Sequence, residues 1–177
     1  MIYLITGGSG SGKSAYAEAL MEAIATENKV YLATMQVRDE ESCKKVRRHQ
    51  QLRENKGFET IEVPLGIQNI KTKKEDSILL ECLSNLVANE MFENSGAKKD
   101  TYNALKKGLI HLKEHSRNLV IVGNEIFGEI PYEDEGTCEY VKTLANITTF
   151  ATEISDVVIE VVYGIPIFRK GENLCKN

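Results

Sequence analysis

Short runs of apolar residues alternate along the chain with longer stretches in which apolar residues recur every three or four positions. The short runs predict buried strands, and the three-to-four spacing predicts helices. Strands are expected at residues 2–5, 30–33, 60–63, 77–80, 119–122, 157–162 and 165–169. Helices are expected from residue 13 and at 39–55, 83–92, 102–115 and 137–154, with a polar loop at 93–100.

The alternation of strands and helices constrains the topology of the sheet. Helices between consecutive strands imply parallel crossover connections, because parallel strands cannot be joined by a tight turn. A sheet built in this way is covered by helices on both faces. The chain shows no internal repeat, low-complexity tract or linker. We therefore expect residues 1–177 to form a single three-layer α/β domain with a mostly parallel central sheet.

Composition narrows the class of protein. The length of 177 residues suits one domain with a sizeable core, and the net charge of −4 argues against nucleic-acid binding as the main task. No apolar run approaches the roughly 20 residues of a membrane-spanning helix, and the start MIYLITGG lacks the basic leader of a signal peptide. The cysteines form no CxxC pair, so we expect free thiols in a cytoplasmic protein; they are Cys43, Cys82, Cys138 and Cys175.

The segment between the first strand and the first helix satisfies the pattern G-x-x-x-x-G-K-[ST]. Its residues, called the phosphate loop below, are Gly7, Gly8, Ser9, Gly10, Ser11, Gly12, Lys13 and Ser14. Glycines let successive backbone N–H groups point towards an anion, and the following helix adds its N-terminal dipole. We expect Lys13 to reach the β- and γ-phosphates of a nucleoside triphosphate and the Ser14 hydroxyl to ligate Mg²⁺.

Such a site also needs an acid at the end of a neighbouring strand to hold the water shell of the metal. Glu81 directly follows the apolar run 77–80 and is the natural candidate. The alternative is that Glu81 only favours the start of the next helix. Glu125, beyond the run 119–122, is a second acid at the strand edge where open α/β sheets bind ligands.

A basic segment, residues 44–53, carries five cations in ten residues. Spacings of four place Lys45, His49 and Arg53 on one helical face. A neutral imidazole is a competent nucleophile towards phosphorus, and flanking cations would steady a triphosphate under attack. The residues of this segment, taken alone, favour a solvated basic face over a catalytic histidine.

His111 and His115 match the pattern H-x-x-E-H of some zinc proteases on a predicted helix. Two such histidines can hold zinc, but no third ligand is evident in the sequence. The phosphate loop also demands a different fold, so we do not expect zinc protease chemistry.

Several segments together resemble the bifunctional adenosylcobinamide kinase / adenosylcobinamide-phosphate guanylyltransferase family over nearly the whole chain. They are ITGGSGSGKSAYAE, YLATMQ, KVRRHQQLR, LLECLSNLVANEMF, VGNEIFGEIP and SDVVIEVVYGIP, with Glu62 before Pro64. The chain departs from the family pattern at Gly10, where an arginine is usual, and at Glu54, where a proline is usual. The segment after Glu125 is also one residue shorter.

The resemblance implies a RecA-like P-loop fold, a homotrimer and two reactions. ATP or GTP would phosphorylate adenosylcobinamide, and GTP would transfer GMP through a guanylyl-histidine to adenosylcobinamide phosphate, giving adenosyl-GDP-cobinamide. The guanylylated histidine of the family falls on His49. The nucleotide-binding positions fall on the phosphate loop and on Ala33, Thr34, Met35, Gln50, Gln51, Leu52, Arg53, Glu62 and Glu81.

Two other functions stay open from the residues themselves. The first is a P-loop kinase of another small metabolite, in which His49 is merely basic. The second is a regulatory protein that uses the phosphate loop as a nucleotide-dependent switch.

Overall fold

The computed structural model describes residues 1–25, 27–36, 40, 43, 46–47, 56–127 and 134–172. The strands are β1 (Ile2–Thr6), β2 (Lys29–Ala33), β3 (Phe58–Glu62), β4 (Ser77–Glu81), β5 (Asn118–Val122), β6 (Val157–Val162) and β7 (Ile165–Lys170). The longer helices of these residues are α1 (Lys13–Ile24), α2 (Leu83–Phe92), α3 (Thr101–Glu114) and α4 (Glu135–Ile154). Short 3₁₀ helices lie at Ile67–Asn69 and Lys98–Asp100.

The strands form one sheet in the order β3-β2-β4-β5-β1-β6-β7. Neighbouring strands are parallel from β3 to β6, and only the edge strand β7 runs antiparallel to its neighbour. The central strands are buried on both faces, as parallel strands covered by helices must be. The predicted α/β class with a mostly parallel sheet is confirmed.

Helices cover both faces of the sheet, which gives the three layers. On one face, α1 packs Ala17 and Met21 against alternate strand residues such as Ile5 and Val120. On the other face, α2, α3 and α4 pack against the intervening strand positions. The side chains that α2, α3 and α4 contribute to that core include Leu86, Val87, Leu105, Leu109, Leu144 and Ile147.

Most predicted elements are confirmed, with small shifts at their ends. Strand β3 starts at Phe58 rather than at residue 60, and Val63 continues its ladder only by donating its N–H to the Ala33 carbonyl at 2.8 Å. Helix α4 starts at Glu135, two residues earlier than expected, because Asp134 caps it. The Asp134 carboxylate accepts hydrogen bonds from the N–H of Thr137 at 2.7 Å and from its hydroxyl at 2.8 Å.

Part of the sequence prediction falls outside the described residues. In the predicted helix 39–55, the structure describes four positions, and all four are helical: Glu40, Cys43, Val46 and Arg47. Among the described residues, Cys43, Cys82 and Cys138 form no disulfide bond, and Cys175 lies outside the described part of the chain. Among the helices described, none is both long and apolar enough to cross a membrane.

Candidate nucleotide-binding site

The phosphate loop connects the carboxyl end of β1 to the first turn of α1. Gly12 caps the helix in the left-handed conformation, with φ of 92°, and a Cβ there would lie 3.3 Å from the Gly164 Cα. At Gly7, where φ is 149°, a Cβ would come within 2.5 Å of the Val161 carbonyl oxygen. A side chain at Gly7 would clash with the backbone of β6. A side chain at Gly12 would be strained by the left-handed backbone and by the close approach of the turn between β6 and β7.

Lys13 is buried at the start of α1, with 7% of the residue exposed. Its ammonium group donates a hydrogen bond to the Gly8 carbonyl at 3.0 Å, so the side chain folds back over the loop. Burial lowers the pKa of Lys13, while Cys82 and Glu81 oppose that shift electrostatically. A bound polyphosphate would add further negative charge beside this buried cation.

Glu81 ends β4 directly beside the phosphate loop. The Ser14 hydroxyl donates a hydrogen bond to the Glu81 Oε1 atom at 3.1 Å. Burial raises the pKa of Glu81, and the hydrogen bond from Ser14 opposes that shift. A hydroxyl and a carboxylate at this separation fit Mg²⁺, which binds oxygen and takes one or two protein ligands beside phosphates and water. The described residues contain no cluster of three or more His, Cys, Asp or Glu side chains that could hold another metal.

A cavity of about 650 Å³ opens at the carboxyl ends of β1, β2, β4 and β5. It brings together eight of the residues predicted from the sequence. These residues are Ser9, Lys13, Ser14, Ala33, Thr34, Met35, Glu62 and Glu81. The remaining loop residues, Gly7, Gly8, Gly10, Ser11 and Gly12, complete the phosphate loop at one end of the cavity. Val46, from the basic segment, also lines the cavity.

The catalytic candidate His49 lies outside the described residues, as do four predicted nucleotide-binding positions. Those four positions are Gln50, Gln51, Leu52 and Arg53. Their roles stay predictions. Glu125 is exposed and is not among the residues that line the cavity. Its backbone N–H donates to the Gly7 carbonyl at 3.1 Å.

Sequence reasoning missed several side chains of the cavity wall. These are Tyr31, Gln36, Thr60, Pro64, Cys82, Asn85, Val122 and Asn124. The signal for Asn124 was present, because it follows a buried strand whose carboxyl end meets the same edge of the sheet as Glu81. The sequence instead led us to predict that the adjacent acid, Glu125, contributes to the site at this edge.

Buried hydrogen bonds hold the cavity wall in place. The Thr34 hydroxyl donates to the Glu81 carbonyl at 2.7 Å and accepts from the Cys82 N–H at 2.7 Å. Asn89, on α2, donates its side-chain N–H groups to the Thr34 carbonyl at 2.9 Å and the Pro64 carbonyl at 3.0 Å. The ends of β2, β3 and β4 are thereby tied to one another around the cavity.

The two histidines of the H-x-x-E-H string make structural contacts. The His111 Nε2 atom lies 2.8 Å from the Ile70 carbonyl oxygen, and the His115 Nδ1 atom lies 2.9 Å from the His111 carbonyl oxygen. The two rings stack with centroids 4.4 Å apart. Each histidine therefore has one ring nitrogen within hydrogen-bond distance of a nearby backbone carbonyl oxygen.

The fold and the site define a P-loop nucleotide-binding protein. Three solved structures with this fold have TM-scores of 0.52. The flagellar accessory protein FlaH from Methanocaldococcus jannaschii is 15% identical, and the match covers 97% of this chain and 78% of that chain. A KaiC-like protein from Pyrococcus horikoshii OT3 is 11% identical, and the match covers 97% of this chain and 80% of that chain. An ATPase of a bacterial type III secretion system is 13% identical, and the match covers 90% of this chain and 51% of that chain. At these identities the likeness concerns the fold alone.

The family model for cobinamide kinase / cobinamide phosphate guanyltransferase (CobU) matches residues 3–168, and the chain belongs to this family. It is 33% identical over 101 residues to the bifunctional adenosylcobalamin biosynthesis protein CobU of Escherichia coli (strain K12), covering 55% of this chain and 54% of that protein. The Salmonella typhimurium relative of the same name is 34% identical over 99 residues, covering 54% of this chain and 53% of that protein. The aligned part of the chain spans about half the length of these curated relatives.

Proposed function

We propose that the protein phosphorylates adenosylcobinamide and then transfers GMP from GTP to the phosphorylated product, giving adenosyl-GDP-cobinamide. Family membership supports the substrate class. The observation that carries the proposal is that one cavity holds both the phosphate loop and Val46, a residue of the basic segment that contains His49. A nucleotide bound by the phosphate loop would contact residues of the basic segment within the same cavity.

In the kinase reaction, the hydroxyl of adenosylcobinamide forms a bond to the γ-phosphorus of ATP or GTP, and a nucleoside diphosphate leaves. Lys13 and the loop N–H groups would hold the β- and γ-phosphate oxygens and neutralise the charge that moves during transfer. Ser14 and Glu81 would hold Mg²⁺, which draws electron density from the phosphate oxygens when bound.

In the guanylyl transfer, a neutral ring nitrogen of His49 forms a bond to the α-phosphorus of GTP, and pyrophosphate leaves. The phosphate of adenosylcobinamide phosphate then takes the GMP group, which frees His49 for another cycle. Met35, Glu62, Thr34 and Ala33 line the cavity and would contact the nucleotide. We propose the same role for Gln50, Gln51, Leu52 and Arg53 from the family resemblance.

The decisive test is covalent labelling with GTP carrying a labelled α-phosphate. The wild-type protein should retain acid-labile, alkali-stable label after denaturation, which is the signature of a phosphoramidate. His49→Ala should lose the label and keep the kinase reaction. His115→Ala is the matched control and should label normally, because His115 is exposed and lies outside the cavity wall. Undiminished labelling of His49→Ala would overturn the guanylyl-histidine assignment.

The same experiment separates the alternatives. Phosphorylation of cobinamide without any protein label would leave a kinase only. Tight nucleotide binding with neither reaction would favour a nucleotide-switch protein.

We also propose a cytoplasmic homotrimer, on the resemblance alone. Light scattering should then give three times the chain mass of 19.8 kDa, and a fully active monomer would overturn it.

A further inference from the structure

Asn124 occupies a position in the cavity to which neither the family resemblance nor the phosphate-loop pattern assigns a role. It lies two residues beyond Val122, which pairs with Glu81 on one side and with Ile5 on the other. Strand β5 therefore delivers Asn124 to the sheet edge between the strand that carries the phosphate loop and the strand that carries Glu81. Asn124 lines the cavity together with Lys13, Ser14 and Glu81.

The side chain of Asn124 is held in one orientation by its neighbours. Its amide nitrogen donates to the Ser84 hydroxyl at 2.9 Å and to the Cys82 sulfur at 3.3 Å. Ser84 is itself buried, and its carbonyl accepts a hydrogen bond from the Tyr140 hydroxyl at 3.3 Å. The next residue, Glu125, donates its backbone N–H to Gly7. The amide is thus anchored to the β4–α2 junction and its backbone to the phosphate loop.

Both anchoring hydrogen bonds of the side chain use the amide nitrogen, so the amide oxygen is available as an acceptor in the cavity that Asn124 lines. A neutral acceptor suits a neutral donor, because it adds no negative charge beside the incoming phosphates and Glu81. An alcohol or a water molecule is such a donor. Its oxygen would keep a lone pair free for phosphorus while its hydrogen is held by Asn124.

We propose that the Asn124 amide oxygen accepts a hydrogen bond from the attacking hydroxyl and aims that oxygen at the γ-phosphorus. The role deepens the kinase reaction proposed above and rests on it. The hydroxyl oxygen bonds to the γ-phosphorus, the bond from phosphorus to the β,γ-bridging oxygen breaks, and the nucleoside diphosphate takes that electron pair. The hydroxyl proton passes to an oxygen of the transferred phosphoryl group, since a carboxamide is too weakly basic to keep it. Orientation of this kind is worth on the order of 100-fold in rate.

The test compares Asn124→Ala with Asn103→Ala, which removes the same group from an exposed asparagine whose side chain donates a hydrogen bond to Asp100. Two rates are measured, namely phosphorylation of adenosylcobinamide and the slow hydrolysis of nucleotide without acceptor, in which water is the nucleophile. For Asn124→Ala, kcat should fall about 100-fold in both reactions, while the nucleotide Kd changes by less than about threefold because the phosphate loop is intact. Asn103→Ala should match the wild type.

The outcomes separate this role from the proposed function. A wild-type protein that hydrolyses nucleotide but does not phosphorylate cobinamide would refute the proposed substrate, and hydrolysis would still decide the role of Asn124. Hydrolysis by Asn124→Ala at the wild-type rate overturns the inference, and so does an equal loss of kcat and nucleotide affinity, which indicates a structural role only. If Asn124→Ala does not fold, Ser84→Ala decides. It removes one anchor of the amide and should slow both reactions about tenfold at unchanged Kd, and an unchanged rate would overturn the inference.

Discussion

Asn89 is the residue whose replacement tests the architecture of the cavity most directly. It lies on α2 with only 5% of its surface exposed. Its two side-chain hydrogen bonds go to the carbonyls of Thr34 and Pro64, which follow β2 and β3. Both of these residues line the cavity, so one buried amide supports two parts of its wall. Asn89→Ala removes both hydrogen bonds at once.

The expected loss of stability can be estimated from these contacts. The Thr34 carbonyl loses a buried partner, which costs about 1–3 kcal/mol when the group stays unpaired. The Pro64 carbonyl is only partly buried, and its lost bond is worth about 0.5–1.5 kcal/mol. The void left by the carboxamide adds about 1 kcal/mol. The free energy of unfolding should therefore fall by roughly 2.5–5.5 kcal/mol, a large part of the stability of an ordinary domain.

Urea unfolding followed by far-ultraviolet circular dichroism measures this change, since the chain has no tryptophan to serve as a fluorescence probe. Asn103→Ala is the matched control and should stay within about 0.5 kcal/mol of the wild type. Asn89→Asp should be at least as damaging as Asn89→Ala, because it turns an acceptor towards two carbonyl oxygens. Nucleotide affinity should fall with Asn89→Ala as well. The reasoning fails if Asn89→Ala is no less stable than the control.

Two further changes probe the charge of the site and the packing beneath it. Lys13→Met should raise the melting temperature of the nucleotide-free protein, because burial of the cation lowers the pKa of Lys13 and so disfavours the charged native state. This gain in melting temperature should shrink as the pH rises through the lowered pKa of Lys13, and nucleotide should no longer stabilise the variant. A melting temperature of Lys13→Met below that of the wild type at neutral pH, without nucleotide, would contradict this prediction. Gly108→Ala should destabilise the protein by about 1–3 kcal/mol despite the helix propensity of alanine, because the new methyl would lie 2.2 Å from Ile67 Cγ1. Urea unfolding should show that a second change, Ile67→Val, restores part of the stability lost in Gly108→Ala.

The elements of the sheet could be predicted because each buried strand is a short apolar run that needs no knowledge of its partners. The proximity of Ser14 to Glu81 could be predicted as well. The phosphate loop that leads to Ser14 follows the carboxyl end of β1, and Glu81 stands at the carboxyl end of β4. Asn124 could not be separated from Glu125 by the same argument. Only the register of β5 between β1 and β4 shows that the asparagine faces the cavity while the glutamate is exposed.

The support that Asn89 gives the cavity was also hidden in the sequence. An asparagine in the middle of an apolar helix gives no sign of its partners, because Thr34 and Pro64 lie 55 and 25 residues away along the chain. The start of α4 differs from these cases. Its cap uses Asp134 and Thr137, which are three residues apart, so the signal is local, although the sequence prediction started this helix at residue 137. Long-range polar contacts therefore require the topology before they can be assigned.

The two proposed reactions make different demands on a single nucleotide. The kinase reaction exposes the γ-phosphorus to an alcohol, and the guanylyl transfer exposes the α-phosphorus to a histidine. In the proposed site the phosphate loop would hold the γ-phosphate beside Glu81 and Asn124, whereas Val46 belongs to the separate, basic segment of the chain. If one bound pose serves both reactions, changes at Asn124 should affect γ-transfer alone and changes at His49 should affect α-transfer alone. Loss of Lys13 should abolish both, because both proposed reactions use a triphosphate held by the same loop.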